Sequence, residues 1–294
     1  MTEPHYDTRG DGPVLLVVPG GAGHPMGLGP MTDVLAGRFT VVTYDPLGLA
    51  HGRLGEPVAD QRVELWSDGA SRVLEEVLDD GESAYVLGFS SGGIAALDLL
   101  TRHPERLRHV VAHEPPCVGV LPDGARQRAM FREVYDTYRA AGPQAAAARL
   151  GAGLTGREPG GAVSGRPLSR EEELVNPMAL FLAHVVRDFS SFAPDLAVLA
   201  TLSDRLTLAA GSDSRGQLLH RTAEFVAGRI DAGFVEFPGG HVGAGEHPVA
   251  FAERLVETLP SHVEPRDAHD QPRTGRRTVL AGVPGRRLKP STSA

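Results

Sequence analysis

The sequence predicts an α/β fold in which a mostly parallel central sheet is covered by helices on both faces. Two observations lead to this prediction. Short apolar runs rich in β-branched residues and bounded by Gly or Pro alternate with longer stretches whose apolar residues recur at helical spacing. The chain has 294 residues, of which 41% are hydrophobic and 22% charged, enough for one large domain with a buried core.

Apolar runs with the length and composition of buried strands occur along the whole predicted core. They cover residues 14–18, 40–44, 84–89, 107–112, 205–210 and 234–237. Runs that are apolar throughout, rather than alternating, are typical of parallel strands that are covered on both faces. Ligands bind beyond the carboxyl ends of such strands, so the residues that follow each run are the first candidates for a functional site.

Amphipathic helices are predicted between these strands. From Val63 to Leu78 the apolar residues recur at spacings of three and four, which gives a helix one buried stripe. Another helix begins near Ser91, has its apolar part over 94–103, and must end before Pro104, which lacks an amide hydrogen. Further helices are predicted at 30–37 and at 248–259, the latter with Pro248 in its first turn.

The composition divides the chain into three parts. Residues 1–116 and 204–262 show the strand and helix alternation and form the predicted core. Residues 117–203 are rich in Ala, Gly and Pro and contain two amphipathic stretches, at 125–142 and 178–192, so a helical insertion is expected there. Residues 263–294 are polar and basic and are expected to form a disordered tail.

Several classes of function and site are disfavoured. The net charge of −8 argues against nucleic acid as the main partner. The single cysteine, Cys117, excludes an internal disulfide framework and a cysteine-rich zinc site, and the spacing of the histidines and carboxylates predicts no metal site. The first residues lack a secretory signal, and no apolar run approaches the ~18–20 residues that span a bilayer, so we expect a cytoplasmic protein without a membrane partner. The oligomeric state stays open.

A candidate nucleophile lies where the predicted strand 84–89 meets the next helix. The segment Gly88-Phe89-Ser90-Ser91-Gly92 has the pattern Gly-x-Ser-x-Gly. In a sharp strand-to-helix turn this pattern exposes the Ser90 hydroxyl, and glycine at 88 and 92 avoids clashes between the closely approaching chain segments. The helix N-terminus also favours developing negative charge. The alternative is a Gly- and Ser-rich turn that only connects the two elements.

A glycine-rich segment, Pro19-Gly20-Gly21-Ala22-Gly23-His24-Pro25, follows the first apolar strand. A backbone without side chains can direct an N–H group towards the space above Ser90. The amides of Gly21 and Ser91 would then form an oxyanion hole, in which one donor is worth about 2.7–4 kcal/mol of transition-state stabilisation. The alternative is a flexible loop that connects a strand to a helix.

A serine nucleophile needs a base, and a histidine is suited to that role at neutral pH. Of the 12 histidines, His241 follows the last predicted strand in Pro238-Gly239-Gly240-His241, where glycines give the loop freedom to reach Ser90. Asp213, which follows the strand 205–210, is the expected carboxylate that holds His241 in the right tautomer. The order Ser90, Asp213, His241 matches one known arrangement of the triad. Glu114, after the strand 107–112, is the alternative acid, and either carboxylate could instead cap a helix or lie on the surface.

These pieces in this order make the chain resemble the α/β-hydrolase family over about residues 10–262. A stretch His-Glu-Pro-Pro, here His113–Pro116, is also similar to one group of bacterial α/β-hydrolases that carry it at the start of the cap. The segment from Asp45 to Gly52 departs from the Arg-Gly pattern that many relatives have there. The matching motifs are Pro19-Gly20-Gly21, Tyr44-Asp45, Gly88-Phe89-Ser90-Ser91-Gly92, Gly211-Ser212-Asp213 and Gly240-His241.

The resemblance implies the α/β-hydrolase fold and a serine hydrolase with a helical cap at about 117–203. The expected substrate is a small-molecule carboxylic ester or thioester with an apolar part, hydrolysed through an acyl-enzyme on a Ser-His-Asp triad without a cofactor. The same triad could also serve perhydrolysis, cyclisation or thioester cleavage of a natural product, or a lyase step. A non-catalytic ligand-binding protein is the remaining alternative. A serine at position 90 argues against the epoxide- and haloalkane-hydrolysing relatives, which need an aspartate nucleophile.

Overall fold

The computed structural model describes residues 5–22, 27–47, 58–157 and 165–260. Three of the sequence-based expectations lie wholly or partly outside these residues. They concern Gly23-His24-Pro25 at the end of the glycine-rich segment, the stretch Gly48–Gly52 that departs from the family pattern, and the tail at 263–294.

The core is one seven-stranded sheet with the spatial order β1-β3-β2-β4-β5-β6-β7. Only β1 runs antiparallel to its neighbour among these described strands, so the predicted mostly parallel sheet is confirmed. The strands are β1 (His5–Arg9), β2 (Val14–Val18), β3 (Thr40–Asp45), β4 (Ala84–Phe89), β5 (Leu107–His113), β6 (Leu206–Gly211) and β7 (Gly233–Phe237).

The six predicted strands agree with the structure to within one residue at each end. All residues of β2, β3, β4 and β6 are buried, because helices cover both faces of the sheet. The strand β1 was not predicted. Its sequence, His-Tyr-Asp-Thr-Arg, is polar and partly exposed, and it pairs with β3 through backbone hydrogen bonds at the edge of the sheet, with His5 opposite Asp45.

Helices pack on both faces of this sheet, as predicted. Alternate residues of β2 point to opposite faces, with Leu16 in the apolar cluster on one side and Leu15 in the cluster on the other. The first side is covered by α2 (Val63–Val77), α3 (Ser91–Arg102) and α9 (Leu218–Ile230). The other side is covered by α1 (Gly29–Leu35), α10 (Gly243–Glu246) and α11 (Pro248–Thr258).

The described part of residues 117–203, which lie between β5 and β6, carries five α-helices, and we call this segment the helical insertion. Its two predicted amphipathic stretches pack against each other, with Phe131 and Val134 of the first contacting the cluster that includes Leu182 and Val186 of the second. The long first helix bends at Gly142, which has φ 81°. The helices are α4 (Gly124–Thr155), α5 (Arg170–Glu173), α6 (Pro177–His184), α7 (Val186–Ser191) and α8 (Leu196–Ala200).

None of the helices within the described ranges combines the length and the apolar character that a membrane crossing requires.

His113, the last residue of β5, is buried in the aromatic core below the carboxyl edge of the sheet. Its ring centroid lies 5.7 Å from that of Phe89, 5.9 Å from that of Phe237 and 5.3 Å from that of Phe251. Neither ring nitrogen has a hydrogen-bond partner among the described residues. Burial lowers the pKa of the His113 imidazole to about 4, against the opposing effect of the Glu114 charge, so the ring is neutral at pH 7.

This depressed pKa predicts a loss of stability in mildly acidic solution. Below pH ~6.5 the unfolded chain binds a proton at His113, whereas the folded protein does so only near pH 4. The free energy of unfolding therefore falls as the pH is lowered through this window. Urea unfolding at pH 7 and pH 5 should show a smaller decrease for His113→Phe than for the wild type. Equal decreases in both proteins would contradict the prediction.

Candidate active site

Ser90 forms the turn between β4 and α3 in a strained backbone conformation, with φ 51° and ψ −118°. The turn is held from two sides. The Ser90 N–H donates a hydrogen bond to the carbonyl oxygen of His113 at 2.9 Å, and the Ile94 N–H donates to the Ser90 carbonyl oxygen at 3.1 Å. Both neighbouring elements, β5 and α3, therefore fix the position of the serine.

Glycines on either side of Ser90 allow three chain segments to meet. A Cβ atom on Gly88 would lie 2.4 Å from the carbonyl oxygen of Gly92, and one on Gly92 would lie 2.2 Å from the carbonyl oxygen of Pro19. Contacts this short exclude any side chain at either position. The spacing of the motif thus reflects the close approach of β4, α3 and the loop that follows β2.

His241 contacts a buried carboxylate, and that carboxylate is Glu114. The Nδ1 atom of His241 lies 2.7 Å from Oε2 of Glu114. The side chain of His241 is 33% exposed, whereas that of Glu114 is 1% exposed. The other carboxylate oxygen of Glu114 accepts hydrogen bonds from the Gly211 N–H at 3.0 Å and from the Ser214 hydroxyl.

The environment of Glu114 keeps it ionised. Burial alone raises the pKa of this carboxyl, but the hydrogen bond and charge of His241, with contributions from His113 and Ser214, lower it to about 2. A charged Glu114 favours the His241 tautomer that carries its proton on Nδ1. The Nε2 atom is then available to accept a proton.

The expected acid, Asp213, does not take this position, and the structure corrects that expectation. Its side chain is exposed and, among the described residues, its carboxylate accepts a hydrogen bond only from the neighbouring Ser212 hydroxyl, at 3.3 Å. The short turn after β6 directs Ser214 inwards and Asp213 outwards, because Ser214 bonds both Glu114 and the carbonyl oxygen of Gly211. The structure therefore brings together His241 and Glu114, the alternative acid.

The order of serine, acid and histidine along the chain favoured Asp213, because that argument considers only which residue types follow one another. The sequence indicated Glu114 only by its place after a buried strand, and Asp213 also follows such a strand. The contact of Ser214 with Glu114 joins two segments that are far apart in the chain, and no motif pointed to it.

Gly20 and Gly21 lie beside the Ser90 turn. A Cβ atom on Gly20 would be 3.6 Å from that of Ser90, and one on Gly21 would be 3.0 Å from the Ser91 hydroxyl oxygen. The same position on Gly21 is only 2.1 Å from a ring carbon of Phe181, which belongs to α6 of the helical insertion. The glycine-rich loop is thus enclosed between the serine turn and a phenyl ring, in the place where an oxyanion hole would form.

Ser90 and His241 line one small cavity of about 100 Å³. Gly20, Gly21 and Ser91, which follow strands of the sheet, also line this cavity. The facing wall is mainly apolar and comes largely from the helical insertion. No Asp, Glu, Lys or Arg is among the described residues that line it. Members of this wall are Phe131, Leu150, Leu154, Phe181, Val186 and Phe189.

Other reactive groups do not join this cavity. Burial raises the pKa of the Cys117 thiol to about 12, so it is protonated at neutral pH and is a poor nucleophile. No group of three His, Cys, Asp or Glu side chains within the described ranges could hold a metal ion. A serine with a positioned histidine and carboxylate is suited to acyl transfer.

A family model and a bacterial protein match most of this chain. Residues 14–254 match the family model described as "Alpha/beta hydrolase family". A protein named uncharacterized hydrolase YraK from Bacillus subtilis (strain 168) is 31% identical over 261 residues, which are 87% of this chain and 92% of that protein.

Two solved structures have the same fold. A thermophilic esterase from Thermogutta terrifontis gives a TM-score of 0.64 at 17% identity, over 87% of this chain and 92% of that one. An enol-lactonase from Burkholderia xenovorans LB400 gives 0.61 at 16% identity, over 86% and 95%.

The contact of Glu114 with His241 predicts which carboxylate activates Ser90. Glu114→Gln should slow the reaction of Ser90 with a fluorophosphonate probe by about 10²-fold or more. Asp213→Asn, the same chemical change at an exposed site, should react at nearly the wild-type rate. Intact-mass spectrometry over time measures both rates, and circular dichroism checks that both variants are folded. Slow labelling of Asp213→Asn with normal labelling of Glu114→Gln would reverse the assignment.

Proposed function

The chain belongs to the alpha/beta hydrolase family and is an enzyme of that family, and on this basis we propose that it hydrolyses a small carboxylic ester through Ser90, His241 and Glu114. One observation carries the proposal. The histidine that contacts the buried, ionised Glu114 at 2.7 Å lines the same cavity as the strained Ser90. This combination supplies the nucleophile, the base and the carboxylate that an acyl transfer needs.

In the first half of the reaction the Ser90 oxygen attacks the carbonyl carbon of the ester. His241 accepts the serine proton on Nε2, and the negative charge of Glu114 stabilises the imidazolium. The carbonyl oxygen becomes an oxyanion that accepts hydrogen bonds from the amides of Gly21 and Ser91. The intermediate then collapses, and His241 gives its proton to the departing alcohol oxygen.

Water completes the reaction. His241 takes a proton from a water molecule, whose oxygen attacks the acyl-enzyme and forms a second oxyanion. Collapse of this intermediate breaks the bond to Ser90, which recovers its proton from His241 while the carboxylic acid leaves. Each step uses groups of the chain and water alone.

The cavity favours a short, uncharged acyl group as the part of the substrate that enters it. Its volume of about 100 Å³ is below the roughly 300–1,000 Å³ typical of pockets for drug-sized ligands. The described lining offers no charged side chain to pair with a substrate carboxylate or ammonium group, apart from His241. In this proposal the helical insertion acts as the cap that selects the acyl group.

The dependence of turnover on Ser90 tests the proposed function. Wild-type protein should hydrolyse p-nitrophenyl acetate or butyrate, and Ser90→Ala should lower kcat/KM by at least about 10³-fold, because the nucleophile is removed. Ser212→Ala, which removes a hydroxyl that bonds only the exposed Asp213 among the described side chains, is the matched control and should leave turnover unchanged.

Two results would overturn this proposal. One is a folded wild-type protein that neither hydrolyses any short ester or thioester nor forms a fluorophosphonate adduct, which would favour the ligand-binding alternative. The other is full activity in Ser90→Ala, which would place the chemistry elsewhere.

The ring of Phe181 should limit the length of the acyl chain, because it lines the cavity and covers Gly21. Phe181→Ala should raise the ratio of kcat/KM for hexanoate over butyrate esters by about tenfold. Hexanoate has two more methylenes than butyrate, and each buried methylene contributes about 0.8 kcal/mol. Phe192→Ala removes a ring of the same segment that is not part of the described lining, and is the control. An unchanged ratio in Phe181→Ala would contradict this role.

A further inference from the structure

The side chain of Ser91 lies next to the nucleophile but has no part in the mechanism above, which uses only the backbone amide of this residue. Ser91 is the first residue of α3 and is 2% exposed. It lines the cavity together with Ser90 and His241. A Cβ atom on Gly21 would lie 3.0 Å from the Ser91 hydroxyl oxygen, so this hydroxyl is directed towards the Gly20–Gly21 loop.

The Ser91 hydroxyl makes no hydrogen bond within the described part of the chain, unlike comparable hydroxyls around it. Ser190, the other cavity-lining serine besides Ser90, donates to the carbonyl oxygen of Arg187 at 3.2 Å. Ser214 bonds both Glu114 and the Gly211 carbonyl oxygen. The Ser91 hydroxyl is not among the fully buried atoms that lack a partner, so it reaches the cavity with its hydrogen-bonding capacity unused. A ligand in the cavity can therefore provide the partner.

The surroundings of this hydroxyl decide what kind of group that partner is. The backbone N–H of Ser91 is at the N-terminus of the 12-residue helix α3, where the helix dipole favours negative charge. The proposed function uses the Gly21 amide as a second donor, and a Cβ atom on Gly21 would lie 3.0 Å from the Ser91 hydroxyl oxygen. A ligand oxygen that accepts hydrogen bonds from the Gly21 and Ser91 amides can also accept one from the Ser91 hydroxyl. The ligand atom that fits is an acceptor oxygen on which negative charge develops.

We propose that the Ser91 hydroxyl donates a third hydrogen bond to the carbonyl oxygen of the substrate, beside those from the Gly21 and Ser91 amides. This inference rests on the proposed function, because the oxygen becomes negative only when Ser90 attacks the carbonyl carbon. Ser91 keeps its proton throughout and forms no covalent bond. The hydrogen bond strengthens as the charge grows, so it acts on the transition state more than on the bound ester.

Steady-state kinetics of Ser91→Ala with p-nitrophenyl butyrate test the proposal. Removal of one oxyanion donor typically costs about 10²–10³-fold in kcat, and KM should change little. Ser191→Ala is the matched control, since it removes a hydroxyl outside the described cavity lining that donates to the carbonyl oxygen of Asp188 at 2.8 Å. Its kcat should stay near that of the wild type. Thermal unfolding of both variants shows whether either change affects the fold.

A transition-state analogue separates a catalytic hydroxyl from a structural one. An alkyl trifluoromethyl ketone forms a hemiketal with Ser90, whose oxyanion occupies the same donors. Its inhibition constant should rise in Ser91→Ala by about the factor by which kcat/KM falls, and should be unchanged in Ser191→Ala. A loss of kcat without a matching loss of affinity for the ketone would overturn the proposal in favour of a packing role.

The failure of this inference can be told apart from that of the proposed function. If wild-type turnover is present and lost in Ser90→Ala, while Ser91→Ala retains wild-type kcat, only the third donor is refuted. If the wild type shows no Ser90-dependent turnover, the ester hydrolase proposal fails and the role of Ser91 fails with it.

Discussion

The rest of the site depends on the hydrogen bonds that stabilise the buried, charged carboxylate of Glu114. An ionised carboxylate in the core is tolerated only when its oxygens are hydrogen-bonded. The partners of Glu114 come from different strand ends, because Gly211 and Ser214 follow β6 and His241 follows β7. One charge thus connects the ends of three neighbouring strands, and a shift of any of them would disrupt part of this set of hydrogen bonds.

Backbone strain is concentrated at the same edge of the sheet. Ser90 at the end of β4 has φ 51°, and Glu114 at the end of β5 has φ 48°, although neither is glycine. The two turns support each other, since the Ser90 N–H bonds the carbonyl oxygen of His113, and the Glu114 N–H bonds that of Ala209 on β6. Such conformations persist where the surrounding hydrogen bonds and packing determine them. The order of the sheet therefore fixes the distance between Ser90 and Glu114.

Local patterns were enough to predict six of the seven described strands and the serine turn, whereas they did not predict relations between distant segments. The strand β4 and the Gly88–Gly92 motif have signatures within a few residues, because burial and steric fit act there. The edge strand β1 pairs through its backbone and has no apolar pattern. The choice of Glu114 over Asp213 depends on which of two strand-end turns points inwards, and residue order contains no information about that direction.

The two walls of the cavity have separate origins in the chain. Ser90 and His241 stand on turns that follow strands of the sheet, while most of the apolar wall belongs to the helical insertion between β5 and β6. The partners named above for Glu114 and for the Ser90 turn all lie outside that insertion. Selectivity and chemistry can therefore evolve at different rates, and close relatives of this chain are expected to share a reaction while they differ in the molecules they accept.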